Sequence, residues 1–214
     1  MKTILLKEFK SDFRNPYILG GAALFLVSSL FVCYITIKRI SSPSLWVALY
    51  WIIVLFASFN AVAKSFINES RTRMLYLYTL VSPVQFIIAK SIYHSLVMII
   101  LTLLALVIYS TFFSIAIDDL PLFYASVLLG STGLGIILSL LSTMASKAGN
   151  NLTLLAILGL PILLPLIMVS TTLMKNAIDG IDLSIQLKYL FVLIGLNVVS
   201  FTLSIILFPY LWRE

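Results

Sequence analysis

Charge is the scarcest commodity in this chain. Asp, Glu, Lys and Arg make up only 10% of its 214 residues, where an ordinary soluble domain carries roughly a quarter. There is one cysteine, Cys33, and it sits inside an apolar run. A single cysteine excludes an internal disulfide and a cysteine-built metal cage. There is one histidine, His94, so no bis-histidine site can form within one chain. No G-x-x-x-x-G-K-[ST] phosphate loop occurs. Lys147 lies in Met144–Asn150, MASKAGN, without the glycine cradle, and a Walker-type ATP site is therefore excluded. Paired carboxylates, serine–histidine arrangements and metal-ligand clusters are missing too, and with them any recognisable enzyme active site. No stretch is of low complexity.

What the chain has instead is apolar sequence. Hydrophobic residues form 61% of it and the mean hydropathy is +1.12. A soluble core of this length would leave far too much apolar surface in water. A secreted enzyme, a disordered chain and a soluble nucleic-acid binder are ruled out, and an all-α polytopic membrane protein is expected. Charges cut the sequence into long uncharged runs at Tyr17–Ile37, Ile40–Ala63, Ser91–Ile117, Leu120–Ser146, Ala148–Met174 and Tyr189–Trp212. Each reaches the ~20 residues that an α-helix needs to cross the hydrocarbon. Helices satisfy every backbone polar group internally, and the alternation of a barrel strand is lacking. Six transmembrane helices are expected, in a single membrane domain over 1–214. A seventh run, Met74–Ala89, is shorter and is interrupted by Ser82-Pro83. Proline removes a donor and restricts its predecessor, so this run reads as an interfacial or re-entrant piece leading into span three.

The net charge of +6 speaks first to orientation. With six spans and both termini in the cytoplasm, Lys2, Lys7, Lys10, Arg14, Lys64, Arg71, Arg73, Lys90, Lys147 and Arg213 lie inside. Lys38, Arg39, Lys175 and Lys188 lie outside, giving 10 against 4. Seven spans give 9 against 5, so the positive-inside rule favours six. The first run is longer than a typical signal h-region and no small-residue cleavage pattern follows it.

Two stretches suit the membrane surface. In residues 1–15, Leu5, Leu6, Phe9 and Phe13 share a face away from Lys7, Lys10, Asp12 and Arg14. This is an amphipathic interfacial helix ended by Asn15-Pro16, an anchor on anionic lipid or also a surface for a soluble partner. The longest cytoplasmic stretch, 64–90, mixes charges with apolar anchors such as Phe66, Leu75 and Leu80. It suits a short helix that docks into a groove on another protein, or a stop signal with interfacial packing.

Glu69, the apolar ladder Leu75–Leu80, Ser82-Pro83 and Ala89-Lys90 resemble the signature segment of ABC-2-type transporter permeases. Within that class the chain is similar over nearly its whole length to the haem exporter protein B (CcmB) family. The likeness includes its size, the Leu45-Trp46-Val47-Ala48 opening of span two and Leu160-Pro161…Leu164-Pro165 in span five. The family's cytoplasmic motif, F-x-x-D-x-x-D-G-S-L, is met by Phe66, by Glu69 in place of the first Asp, and by Leu75. Thr72, Arg73 and Met74 replace the second acid, glycine and serine. The resemblance implies an ABC-2-type permease fold in the bacterial inner membrane and a non-catalytic role. It implies a cytoplasmic CcmA-like ATPase, a CcmC-like haem-handling protein, a small CcmD subunit and the haem chaperone CcmE as partners, with two permease copies. ATP would be bound by the partner, haem handled by the complex, and no cofactor bound directly by this chain. Phe66, Glu69, Arg71, Arg73, Leu75 and Pro83 become candidates for coupling to the ATPase within 64–90.

Four intramembrane features remain. His94, four residues after Lys90 and near the cytoplasmic end of span three, reads as a bundle-facing or interfacial polar residue, with an axial haem ligand as the alternative. Asn60 and Asn197 are expected to hydrogen-bond between helices. Gly130, Gly133 and Gly135 lack the Rossmann setting and suit close helix packing. Pro161 and Pro165 each remove a backbone hydrogen bond and are candidates for a hinge or a membrane re-entry, or for a static kink. Outside, Ile178, Ile181, Leu183 and Ile185 suit a short surface helix. The alternative to a cytochrome c maturation permease is an ABC-2 exporter of a lipid or drug. A self-sufficient carrier would need paired repeats and midplane acids, which the chain lacks.

Overall fold

A computed structural model describes residues 17–37, 40, 42–67, 82–147 and 152–213. Among them every regular element is an α-helix: α1 (Tyr17–Thr36), α2 (Pro43–Ile67), α3 (Pro83–Phe112), α4 (Leu120–Lys147), α5 (Leu152–Ile178) and α6 (Leu183–Arg213). Five of these are long and apolar enough to cross a membrane, and the apolar part of α1, Gly20–Thr36, is shorter. The chain is an integral membrane protein by that measure. The expected amphipathic helix over 1–15 lies outside the described residues.

The helix ends differ from the charge-delimited runs in instructive ways. The Ser82-Pro83 pair does not interrupt a re-entrant piece. It starts α3, with Ser82 extended and Pro83 in the first turn, where the missing N–H would have had no partner and the fixed φ already suits a helix. Residues 83–90 therefore belong to α3 and 64–67 to α2, which leaves 68–82 between them. At its far end α3 stops at Phe112, where Phe113 turns out of helical geometry, short of the expected Ile117. The short outer helix over 178–185 is absent. Ile178 ends α5, Leu183 starts α6, and the reversal between them turns on Gly180 at φ 63°, a region open to glycine at no steric cost.

α4 is the axis of the bundle. It packs against α2, α3, α5 and α6, and 72% of its apolar window is buried against 17% for α6. α1 lies at the periphery on α2 and α3, turning the four-residue stripe Ala22, Leu26 and Leu30 inward. Glycines set how closely α4 approaches. A Cβ on Gly135 would stand 2.6 Å from the Ser95 backbone nitrogen and 2.8 Å from the His94 carbonyl carbon, so α3 and α4 meet there backbone to backbone. A Cβ on Gly130 would strike the Trp51 indole and stand 2.9 Å from Ser170 Oγ, which brings α2 and α5 in against the same helix. Small residues permit such approach where hydrocarbon solvent gives no hydrophobic drive to associate.

The two ends of the bundle are held differently. At one end Trp46 Nε1 donates to the Phe113 carbonyl at 2.8 Å and Tyr109 OH donates to the Trp46 carbonyl at 3.0 Å. The rings of Tyr50, Tyr109 and Phe123 surround Trp46. Beside them Asp119 N donates to the Ala177 carbonyl, and Gln186 Nε2 donates to Asp119 Oδ2 at 2.8 Å and to the Ile181 carbonyl at 2.6 Å. The opposite end rests on a small separate cluster, Phe86, Ile87 and Phe208.

These contacts predict that Gly135→Leu lowers the thermal stability of the detergent-purified chain by about 1–3 kcal/mol, the ordinary cost of overpacking. Gly195→Leu, at a site with nothing within 4 Å, should leave the melting temperature unchanged. Equal behaviour of the two variants would disprove the α3–α4 backbone contact.

Candidate functional site

Four buried polar side chains of α3 share one stripe. Lys90, Ser91, His94 and Thr102 are buried to 3% exposure or less, at spacings that return to one helix face. Lys90, expected on the cytoplasmic side, is enclosed, with its Nζ 5.5 Å from the centroid of the Phe86 ring, an arrangement in which a cation is attracted to the ring face. Enclosure explains why charge alone misplaced the start of α3.

His94 lies 11 residues beyond Pro83, roughly 16 Å along a helix roughly 45 Å long. Its ring faces the bundle interior, as one of the two sequence readings had it, 5.6 Å from the Tyr93 ring. Neither Nδ1 nor Nε2 has a hydrogen-bond partner among the described residues. Neutral imidazole carries one donor and one acceptor, and each is costly to bury unpaired. The neighbouring hydroxyls are engaged elsewhere. Ser91 Oγ stands 3.5 Å from Ser139 Oγ on α4, and Ser95 Oγ donates to the Thr132 carbonyl at 3.3 Å.

On the other side of α4, Asn197 ties α6 down. Its Nδ2 donates to the Leu129 carbonyl at 3.2 Å and the Leu193 carbonyl at 2.8 Å, and its Oδ1 accepts from Thr132 Oγ1 at 3.2 Å. The expected interhelical role holds for Asn197. Among the described residues Asn60 makes no such bridge: its Nδ2 donates to the Phe56 carbonyl of its own helix.

Of the coupling candidates, Phe66 lies in the last turn of α2 and Pro83 in the first turn of α3. Glu69, Arg71, Arg73 and Leu75 lie outside the described residues. Pro161 and Pro165 lie within α5, which is assigned as helix without interruption from Leu152 to Ile178, so the chain makes no membrane re-entry at these residues. Both prolines are on the exposed side of α5, where a freed carbonyl costs no contact inside the bundle. Phe86, one turn into α3, stacks on Phe208 of α6 at 5.8 Å between centroids.

What sequence reading missed was the joint burial of Lys90 and His94. A signal for it existed, since the pair stands at i and i+4 with Ser91 and Ser95 beside them, a small-residue stripe suited to close packing. Among the described residues no group of three or more His, Cys, Asp or Glu could hold a metal.

Compared with known proteins, the chain matches the family model described as "CcmB protein" over residues 2–210. No curated protein matches it.

An orphaned buried imidazole is a stability liability. His94→Leu is expected to stabilise the purified chain by ~1–3 kcal/mol, read from its unfolding midpoint in detergent. Destabilisation would mean that both ring nitrogens are satisfied.

Proposed function

The chain belongs to the CcmB protein family, and from that premise we propose that it is the permease subunit of an ATP-driven complex for cytochrome c maturation. The family is a haem exporter permease component of that system. The finer reading has six spans, α1 being the sixth, an ABC-2-type arrangement, and both termini at the cytoplasmic face of a bacterial inner membrane. Two copies of the permease pair with two copies of a separate ATPase, and the complex also holds the haem-handling protein, the small subunit and the haem chaperone. ATP stays on the ATPase, and this chain carries no resident cofactor.

The family match across residues 2–210 carries this reading. Its physical support is the want of any nucleotide-binding loop in the sequence, so that energy comes from another polypeptide. The segment between α2 and α3 is where that energy enters. It joins two helices that both pack against the central α4, and α3 at once touches α6 through Phe86 and Phe208. Closure of the ATPases then biases the α3–α6 contact toward one of two arrangements, which requires the ATPase to bind one of them more tightly. Phe66, Glu69, Arg71, Arg73 and Leu75 supply the docking surface, and Pro83 fixes the angle at which α3 leaves it. Within α5, Pro161 and Pro165 serve as the compliant point.

Reversing both Arg71 and Arg73 to Glu should lower recovery of the ATPase with the tagged permease and slow release of the haem-loaded chaperone, while permease abundance in the membrane stays the same. Unchanged co-purification and unchanged release would defeat the proposed docking surface.

A further inference from the structure

Hydroxyls buried in this bundle follow a habit. Ser126, Ser131, Ser142 and Ser204 each donate to a carbonyl one turn back on their own helix, the usual way to satisfy a hydroxyl inside a helix. On α5, Thr171 and Thr172 both donate to the Met168 carbonyl. Ser170 beside them is 0% exposed, and it is the one buried hydroxyl among the described residues without a hydrogen-bond partner. The tryptophans show the same contrast. Trp46 Nε1 donates to the Phe113 carbonyl at 2.8 Å. Trp51 Nε1, on α2 and equally buried, has no acceptor among the described residues.

The unused donor and the unused acceptor meet at one crossing. Trp51 Cζ2 and Ser170 Oγ each stand 2.9 Å from the point that a Gly130 Cβ would occupy, and the ring nitrogen is next but one to Cζ2. α2 and α5 also pack directly on each other. In this arrangement the indole is packed against Gly130 and the two polar groups stay apart. Each is costly to bury unpaired, so an arrangement that joins them offsets some loss of ring packing. One bend gives access to it. Pro165, five residues before Ser170, leaves α5 short of a backbone hydrogen bond, and helices bend at such points. Bending there shifts Ser170 against α2 while α4 keeps its place.

We propose that Trp51 and Ser170 form a latch between α2 and α5. The bundle has a second arrangement, reached by bending α5 at Pro165, in which Trp51 Nε1 donates to Ser170 Oγ; the structure described here is the open one. The latch goes beyond the transport reading and does not rest on it, because neither an ATPase nor haem is needed to close it. Its closed form is a minor state of the chain itself, at about 0.1–10% of molecules.

The test follows the indole N–H signals of [15N]tryptophan-labelled full chain in phosphatidylcholine nanodiscs. There are three tryptophans, and Trp51→Phe identifies the signal of Trp51. Exchange saturation transfer should reveal a minor Trp51 signal shifted downfield, the mark of a hydrogen-bonded indole. Ser170→Ala should abolish it. If that variant does not fold, Ser170→Cys, whose thiol is a weaker acceptor, should shrink it. Pro165→Ala restores the missing donor in α5 and should lower the minor population about fivefold, the worth of one ordinary hydrogen bond. A lone Trp51 signal that ignores Ser170→Ala would overturn the latch, and so would a minor signal that survives it. A lone downfield signal lost in Ser170→Ala would mean a permanent tie, direct or through water, and would equally defeat the two-state proposal. An unchanged minor population in Pro165→Ala would refute the bend.

Discussion

The bundle depends on one close contact, the meeting of the α3 and α4 backbones at Gly135. In hydrocarbon, lipid tails compete with leucine side chains on equal terms, so helices associate through packing detail rather than through escape from water. A glycine at the crossing lets two backbones approach without side chains between them. Once α3 is fixed there, its buried stripe is fixed too, and Lys90 and His94 are committed to the interior. The placement of the only histidine is thus a consequence of where α4 has no side chain. Gly130 repeats the device one and a half turns away, where it receives Trp51 and Ser170, and makes α4 the helix that the others share.

Among the described residues, the two ends of the bundle are joined by different chemistry. At the Trp46 end, hydrogen bonds and packed rings join α2 to α3 and α4, and polar contacts join the α3–α4 loop to α5 and α6. At the Phe86 end, α3 and α6 share an aromatic cluster separate from the main core. That is the end which, on the proposed reading, faces the ATPase, so a push between α2 and α3 would reach α6 through stacked rings.

The errors of sequence reading share a cause. Charge was used as a marker of water, and Lys90 breaks that rule because an aromatic ring and a helix interface enclose it. Misplacing Lys90 delayed the start of α3 by eight residues. Pro83 was read as an interruption, although in a first turn its missing donor is no loss. Asn60 and Asn197 look alike in sequence, both amides in apolar runs, and only the neighbouring helix separates them: Asn197 finds α4, while Asn60 bonds the Phe56 carbonyl one turn back on its own helix. The family resemblance was legible because it spans the chain as a pattern of apolar runs, and a pattern survives the loss of individual motif residues such as the second acid of the cytoplasmic motif.

From composition and run length alone, it was settled that this chain lives in lipid as helices and that it holds no nucleotide-binding loop. Those are one-dimensional properties: hydrocarbon demands internal backbone hydrogen bonds over a known thickness, and a phosphate loop needs its residues in a row. Which face of each helix is inside, which amide bridges two helices and which cation is enclosed were decided only by tertiary structure. In an apolar helix every face looks alike to the sequence, and the choice among them is made by close packing, one glycine at a time, against residues distant in the chain.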